Sequence, residues 1–232
     1  MKMAKEKKVE IKAAPKPAGE SATREKLLNA AEALFIESGF DGTSVSDIAR
    51  RSKTTKGHLY YYFKNKESLF DAVLERHLAA QRAALLKAAS AGGGMGERIH
   101  AALDAYVDFI EENPGFPRLI QREMCSGSKS VKKISDGMAP VHAWGAGVLS
   151  GLLPKVGPTA AKHFFFSIYS MTLNYYTYSA MLERLWGTDP ASAAALAERR
   201  AHLHAMVDTI IARYISDDAG KVIMKKTGGA RR

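Results

Sequence analysis

The sequence predicts an all-α protein, a three-helix N-terminal unit joined to a larger helical C-terminal body. Three observations carry this. Apolar residues recur at three- and four-residue spacing from about residue 23 to residue 216. No run alternates apolar and polar residues, and no hairpin dipeptide joins two such runs. Helix start and stop residues punctuate the pattern at regular intervals.

The first helix is expected over about Thr23 to Ser38, with Leu27, Ala31, Leu34 and Phe35 on one face, Ser21 or Thr23 as cap and Gly39 in the left-handed position after it. Ser44 and Asp47 form a capping box that opens a short helix with Val45, Ile48 and Ala49 on one face. A third helix starts at Thr54 or Thr55 and runs to Phe63. Asn65 caps a longer helix, 67–89, whose inner face is Phe70, Val73, Leu74, His77 or Leu78, and Leu85. The run Ala91-Gly92-Gly93-Gly94 is a flexible break. Beyond it helices are expected at 97–112, 116–126, 131–152, 158–187 and 190–216, the last with Asp189 as N-cap and Pro190 as first residue.

Composition narrows the function. Of 232 residues 46% are hydrophobic, and the formal net charge is +10, which suggests a polyanionic partner. One cysteine, Cys125, excludes an internal disulfide framework or a thiolate-rich metal site. No secretory leader is read, so a cytoplasmic location is expected. The charge is concentrated. Residues 1–20 and 217–232 carry +3 each and read as disordered basic tails, while Arg50 to Lys66 alone holds six basic residues and no acidic one.

Residues 44–63, SVSDIARRSKTTKGHLYYYF, place two short helices around a tight turn, the helix-turn-helix arrangement whose second helix can enter the major groove. Hydroxyls at Thr43, Ser44, Ser46, Thr54 and Thr55 gather at both helix starts, where backbone N–H groups favour phosphate. Gly57 removes a side chain from the second helix and lets its backbone approach DNA. Tyr60, Tyr61 and Tyr62 span about 200° of the helix, so at least one faces outward.

The runs Thr43-Ser44-Val45-Ser46-Asp47-Ile48-Ala49 and Lys56-Gly57-His58-Leu59-Tyr60-Tyr61-Tyr62-Phe63-Lys64-Asn65-Lys66-Glu67-Ser68-Leu69 strongly resemble the TetR/AcrR family of transcriptional regulators. The match covers about a fifth of the chain. The resemblance implies a dimeric, ligand-responsive repressor of palindromic double-stranded DNA, with no cofactor. Its organisation would be a helix-turn-helix DNA-binding domain (21–66), a connecting helix (67–90) and a larger C-terminal ligand-binding and dimerisation domain (91–216). Ser46, Lys56, Gly57 and His58 would face bases; Thr43, Ser44, Thr55, Tyr60, Tyr61 and Lys66 would hold phosphates. The chain departs from the family in the turn, where Ser52-Lys53-Thr54 replaces Ala-Gly-Val. Lys53 must then adopt a left-handed conformation or the turn differs, and it adds a charge toward the DNA backbone. His58 stands where a small residue is common.

In the body, residues 163–182 pass without a Lys, Arg, Asp or Glu, yet six Ser, Thr and Asn residues and four tyrosines argue against a membrane span. A helix buried on two sides fits better. Leu196, Leu203, Val207, Ile210 and Tyr214 make one stripe on the last helix, and by the resemblance the last two helices form the homodimer's four-helix bundle. A pocket for a small, largely hydrophobic effector is expected among Tyr106, Phe109, Phe116, Met124, Trp144, Phe166, Tyr169, Met171, Asn174 and Tyr178. No nucleophile–base pair, metal triad or phosphate loop is present, so catalysis and metal binding are not expected; Asp104, Asp108, Glu111 and Glu112 read as a solvated face. His202 and His204 diverge on a helix, and Arg122 near Cys125 makes a redox role conceivable but an inert thiol the simpler reading.

Overall fold

In a computed structural model, residues 18–90, 92–126, 130–149, 153–154, 156–157 and 160–214 are described. Among them are ten helices and no strand. The basic stretches 1–17 and 217–232 lie outside the described residues.

The first helix, α1 (Ala18–Ser38), starts earlier than its pattern suggests. Residues 18–20, assigned to the tail, form its first turn, and Ser21 and Thr23 sit inside it rather than capping it. Nothing after Pro17 forbids helix, so the apolar pattern underestimates its length. Gly39 follows in the left-handed region at φ +76°. Helix α2 (Val45–Arg51) opens on the Ser44–Asp47 capping box, and α3 (Lys56–Tyr62) on Thr55, whose hydroxyl accepts the His58 N–H. Asn65 caps α4 (Lys66–Ala89) in a second box with Ser68.

The body comprises α5 (Met95–Glu112), α6 (Phe116–Ser126), α7 (Ser130–Leu149), α8 (Ala161–Thr177), α9 (Ser179–Trp186) and α10 (Ala193–Tyr214). Two boundaries differ from expectation. The single helix expected over 158–187 is broken at Tyr178 (φ −96°, ψ 12°). A run of aromatic and β-branched residues is weakly helical there. The Thr172 and Thr177 hydroxyls also donate back to the Ile168 and Leu173 carbonyls, a contact that bends helices. Asp189 caps only a turn, accepting the Ala191 N–H at 2.8 Å. Ser192, accepting the Ala195 N–H, is the residue that starts α10.

A single apolar core runs through α1 to α8, including Phe35, Leu59, Phe70, Leu74, Phe116 and Leu173. Phe35 packs edge-on against Phe70 (centroids 4.9 Å apart) and stacks with Phe40. Buried His77 lies at 5.0 Å from the Phe116 ring and bonds Glu32 of α1 at 2.8 Å; Arg76 pairs with the same carboxylate. Burial pushes the Glu32 carboxyl up, but the His77 hydrogen bond and the charges of His77 and Arg76 outweigh it and hold the group below its ordinary range. Arg122 of α6 donates to the Phe35 carbonyl at 3.2 Å, near the end of α1. The first three helices are therefore tied to α4 and α6 by apolar and polar contacts together.

A second cluster joins Leu103 and Val107 of α5 to Leu203 and Val207 of α10. The last-helix stripe thus spends its two buried members within its own chain. Arg200 of α10 bonds Asp104, Asp108 and Glu111 at 3.2, 2.7 and 3.1 Å, so three of the acids read as a solvated face are ion-paired. Beside them the His100 and His204 rings stack, bonded through their Nδ1 atoms at 2.6 Å, with Asp208 and Asp104 on the outer nitrogens. No sequence spacing pointed to this pair, whose members lie on α5 and α10. Among the described residues no helix is long and apolar enough to cross a membrane.

Candidate functional site: a DNA-reading face above an apolar cavity

The turn between α2 and α3 is built around Lys53, which takes φ +54°. It is the left-handed alternative posed by the sequence, at a cost of about 1 kcal/mol for a residue with a Cβ. The Ser52 hydroxyl donates to the Ala49 carbonyl and lies 2.8 Å from the Thr54 hydroxyl, filling the inside of the turn. The Lys53 side chain is left exposed.

On α3, buried Leu59 anchors the helix to the core, and the opposite face is open. Lys56, Gly57 and His58 are exposed there, with Tyr60 at 56% and Tyr61 at 68% exposure. The Thr55 hydroxyl accepts the His58 N–H (3.2 Å) and lies 3.1 Å from His58 Nδ1. When that hydroxyl donates to Nδ1, the neutral ring carries its proton on Nε2, a donor suited to a base-edge acceptor. Ser46 is exposed on α2. Ser44 is also exposed, but its hydroxyl is committed to Asp47 at 2.5 Å.

Five of the six clustered cations divide into two groups. Arg50 pairs with Asp47 at 2.5 Å and Arg51 with Glu37 at 2.6 Å. Lys53, Lys56 and Lys64 have no partner among the described residues and are exposed. Two residues expected at phosphates are placed inward. Thr43 is 2% exposed, its hydroxyl donating to the Gly39 and Leu34 carbonyls. Lys66 donates to the Phe40 and Thr43 carbonyls at 2.8 and 2.9 Å, its ammonium 4.1 Å from the Phe40 ring centre. Both residues hold the α1–α2 loop because its carbonyls have no helical partner and need donors.

Lys66→Ala should therefore act on stability first. Losing two charge-assisted hydrogen bonds and a cation–π contact at a half-buried site is expected to cost about 1–3 kcal/mol. The melting temperature should fall by roughly 2–12 °C. The salt dependence of DNA binding should stay unchanged, whereas losing a phosphate contact would lower the log–log slope by about one per protomer.

Inside the body, α4, α5, α7, α8 and α10 enclose a cavity of about 80 Å³. Leu85, Ala102, Val141, Leu149, Phe164 and Ile168 give it apolar walls. Of the ten residues expected to line a pocket, Tyr106, Trp144 and Tyr169 do so. Phe109 and Phe116 are packed in the core against each other and His77. Met171 packs on the α5–α10 cluster, and Asn174 falls past Tyr169, the last lining residue of α8. Met124, Phe166 and Tyr178 are 49%, 67% and 45% exposed. On α8, Phe164 and Phe165 take the inner face, which turns Phe166 outward.

The sequence reading missed Gln81 and Leu85 of α4 at the cavity. A signal existed. Leu74, Leu78, Gln81 and Leu85 lie on one helix face at spacings of four, three and four, so Gln81 is a polar residue on an apolar stripe. Cys125 is exposed, and Arg122 reaches toward Phe35 of α1. Among the described residues no group of three or more His, Cys, Asp or Glu is arranged to hold a metal.

A basic helix-turn-helix with an open second helix, mounted on a helical body around an apolar cavity, defines the class of helix-turn-helix transcriptional regulators. Comparison with known proteins specifies it: residues 27–73 match the family of "Bacterial regulatory proteins, tetR family". The repressor NemR of Escherichia coli is 39% identical over 72 residues, 31% of this chain and 36% of that protein's length. QacR of Staphylococcus aureus is 43% identical over 51 residues, 22% of this chain and 27% of QacR. The chain thus spans only about a third of these relatives in the matches. RutR of E. coli is 28% identical over 179 residues, covering 72% of this chain and 80% of RutR. The ketosteroid regulator KstR2 of Mycobacterium tuberculosis has the same fold (TM-score 0.63, 21% identity, 80% of this chain and 93% of that one). So does FadR of Bacillus subtilis, solved with stearoyl-CoA (TM-score 0.62, 14% identity, 81% and 97%).

Proposed function

We propose that the protein is a ligand-responsive transcriptional regulator, acting as a repressor. It binds a palindromic operator as a homodimer and is modulated by a small, largely hydrophobic effector in the body. The observation that carries this reading is the double duty of α4. Three residues separate its start from the end of the α3 reading helix, and within about two turns of its far end Gln81 and Leu85 wall the cavity. A ligand that fits the cavity better in one position of α4 shifts the protein toward that position, by no more than its difference in affinity for the two. The Arg122 bond to α1 gives α6 a second hold on the reading head.

Dimerisation through the last two helices is supported by the apolar surface of α9. No residue of α9 is buried, and Met181, Leu185 and Trp186 are 51%, 69% and 56% exposed. Three large apolar side chains on one eight-residue helix suit a second copy of the chain. Two copies related by a two-fold axis present two α3 helices to half-sites about one DNA turn, or a multiple of it, apart. The relatives support the chemistry by name: NemR is called a repressor, KstR2 a ketosteroid transcriptional regulator, and the B. subtilis FadR is a transcriptional regulator solved with stearoyl-CoA.

The test is selection of bound sequences from random duplex DNA by the full chain. An inverted repeat with half-site centres about 10 base pairs apart, or a multiple, is expected. Salt-sensitive binding with no sequence preference would instead mark a general DNA-coating protein.

A further inference from the structure

The cavity has an apolar lining with two polar flaws. Gln81 is 1% exposed and Tyr106 5% exposed, and both line it. Gln81 Nε2 is buried without a hydrogen-bond partner in the protein, whereas the Tyr106 hydroxyl has the Tyr169 hydroxyl beside it. A buried donor left unpaired is an exception in folded proteins and calls for an explanation. Here the unpaired amide belongs to a residue of the cavity wall, on α4, where an acceptor entering the cavity can take its hydrogen bond.

We infer that the cavity takes a small, uncharged molecule with an apolar body and one hydrogen-bond acceptor, a carbonyl or ether oxygen, which Gln81 receives. This rests on the reading of the cavity as the effector site and narrows its ligand.

The exclusion of charge follows from the lining. Among the described residues it contains no Lys, Arg, His, Asp or Glu. A carboxylate or ammonium group would be stripped of water with no opposite charge to meet it. The tyrosines do not supply a charge either: burial pushes the Tyr106 hydroxyl well up and Tyr169 to about 12, so both remain protonated donors at any ordinary pH. Size follows from volume. About 80 Å³ accommodates roughly five to eight water-sized groups, the scale of a six-membered ring bearing one oxygen. Gln81 also lies on α4, so the acceptor would pull on the helix that carries the reading head.

Three probes of one shape separate the possibilities: cyclohexanone, methylcyclohexane and cyclohexanecarboxylate, titrated calorimetrically into the full chain. The ketone should bind about tenfold more tightly than the hydrocarbon, the worth of a hydrogen bond to a buried donor, and the carboxylate should not bind. Gln81→Leu should bring the ketone-to-hydrocarbon ratio close to one while keeping or improving hydrocarbon binding. Equal binding of ketone and hydrocarbon by the wild-type chain would overturn the polar anchor and leave the cavity reading standing. A ratio unmoved by Gln81→Leu, or tighter carboxylate binding, would also overturn the anchor. If none of the three binds, the effector site itself lies elsewhere and both readings fall.

Discussion

Gly57→Leu is expected to raise the stability of the protein while abolishing most of its operator affinity. A Cβ built at Gly57 meets only the Thr55 hydroxyl, at an ordinary 3.5 Å, and the residue is exposed near the start of α3. The folded state has room for the new side chain. A helical glycine replaced by a good helix former gains about 0.5–1 kcal/mol, because the unfolded chain loses freedom. The same side chain would stand between the α3 backbone and DNA. Loss of one base-edge contact per half-site costs about 1–3 kcal/mol, and a two-fold dimer loses it twice. Operator binding should therefore fall on the order of a hundredfold or more while the melting temperature rises slightly. The opposite signs are the point, since a general folding defect lowers both. Gel-shift titration beside a thermal melt checks this, and unchanged operator affinity would remove Gly57 from the interface.

Phe35→Ala is expected to destabilise the whole molecule at once. The ring is fully buried between Phe40 and Phe70, and its core continues without interruption to Phe116 of α6 and Leu173 of α8. Truncating a buried phenylalanine costs about 3–5 kcal/mol, a large part of the 5–15 kcal/mol typical of total stability. In calorimetry a single transition should move down by roughly 6–20 °C. Separate melting of an N-terminal unit, with the body's transition left in place, would show that the reading head folds independently and that the shared core adds little. This outcome also bears on communication. If head and body share one cooperative core, displacement of α4 by a ligand is felt in α1 through Phe35 and through the Arg122–Phe35 carbonyl bond.

Much of the reading head was legible because its signals are local. Ser44 with Asp47, Thr55 with His58 and Asn65 with Ser68 each act across three residues, so they read directly as helix starts. For Lys53 the resemblance left two alternatives, a left-handed residue or a different turn, and the structure takes the first. Less legible was what each polar group would be used for. Thr43 and Lys66 have the chemistry of phosphate ligands, but the carbonyls of the α1–α2 loop take their donors first. The sequence cannot show this, since Lys66 and Phe40 are 26 residues apart. In the body the ratio reverses. Helix count and approximate positions follow from periodicity, but which face of α8 turns inward is decided by its neighbours. Phe164 and Phe165 line the cavity and Phe166 does not, although the three adjacent residues are chemically identical.

Sequence alone determined the all-helical class, the position of the helix-turn-helix, and the concentration of positive charge on it. Those properties depend on spacings of two to seven residues, on capping chemistry and on composition. Only the tertiary structure decided that Arg50, Arg51 and Lys66 are engaged within the protein while Lys53, Lys56 and Lys64 remain open, and that α10 is clasped to α5 by Arg200 and the stacked histidines. It also decided that the unpaired Gln81 amide belongs to the wall of an apolar cavity. Each of these depends on side chains brought together from distant helices. Local preferences fix where a helix begins and what it exposes on average, but the partner of a buried polar group is set by whichever helix packs against it.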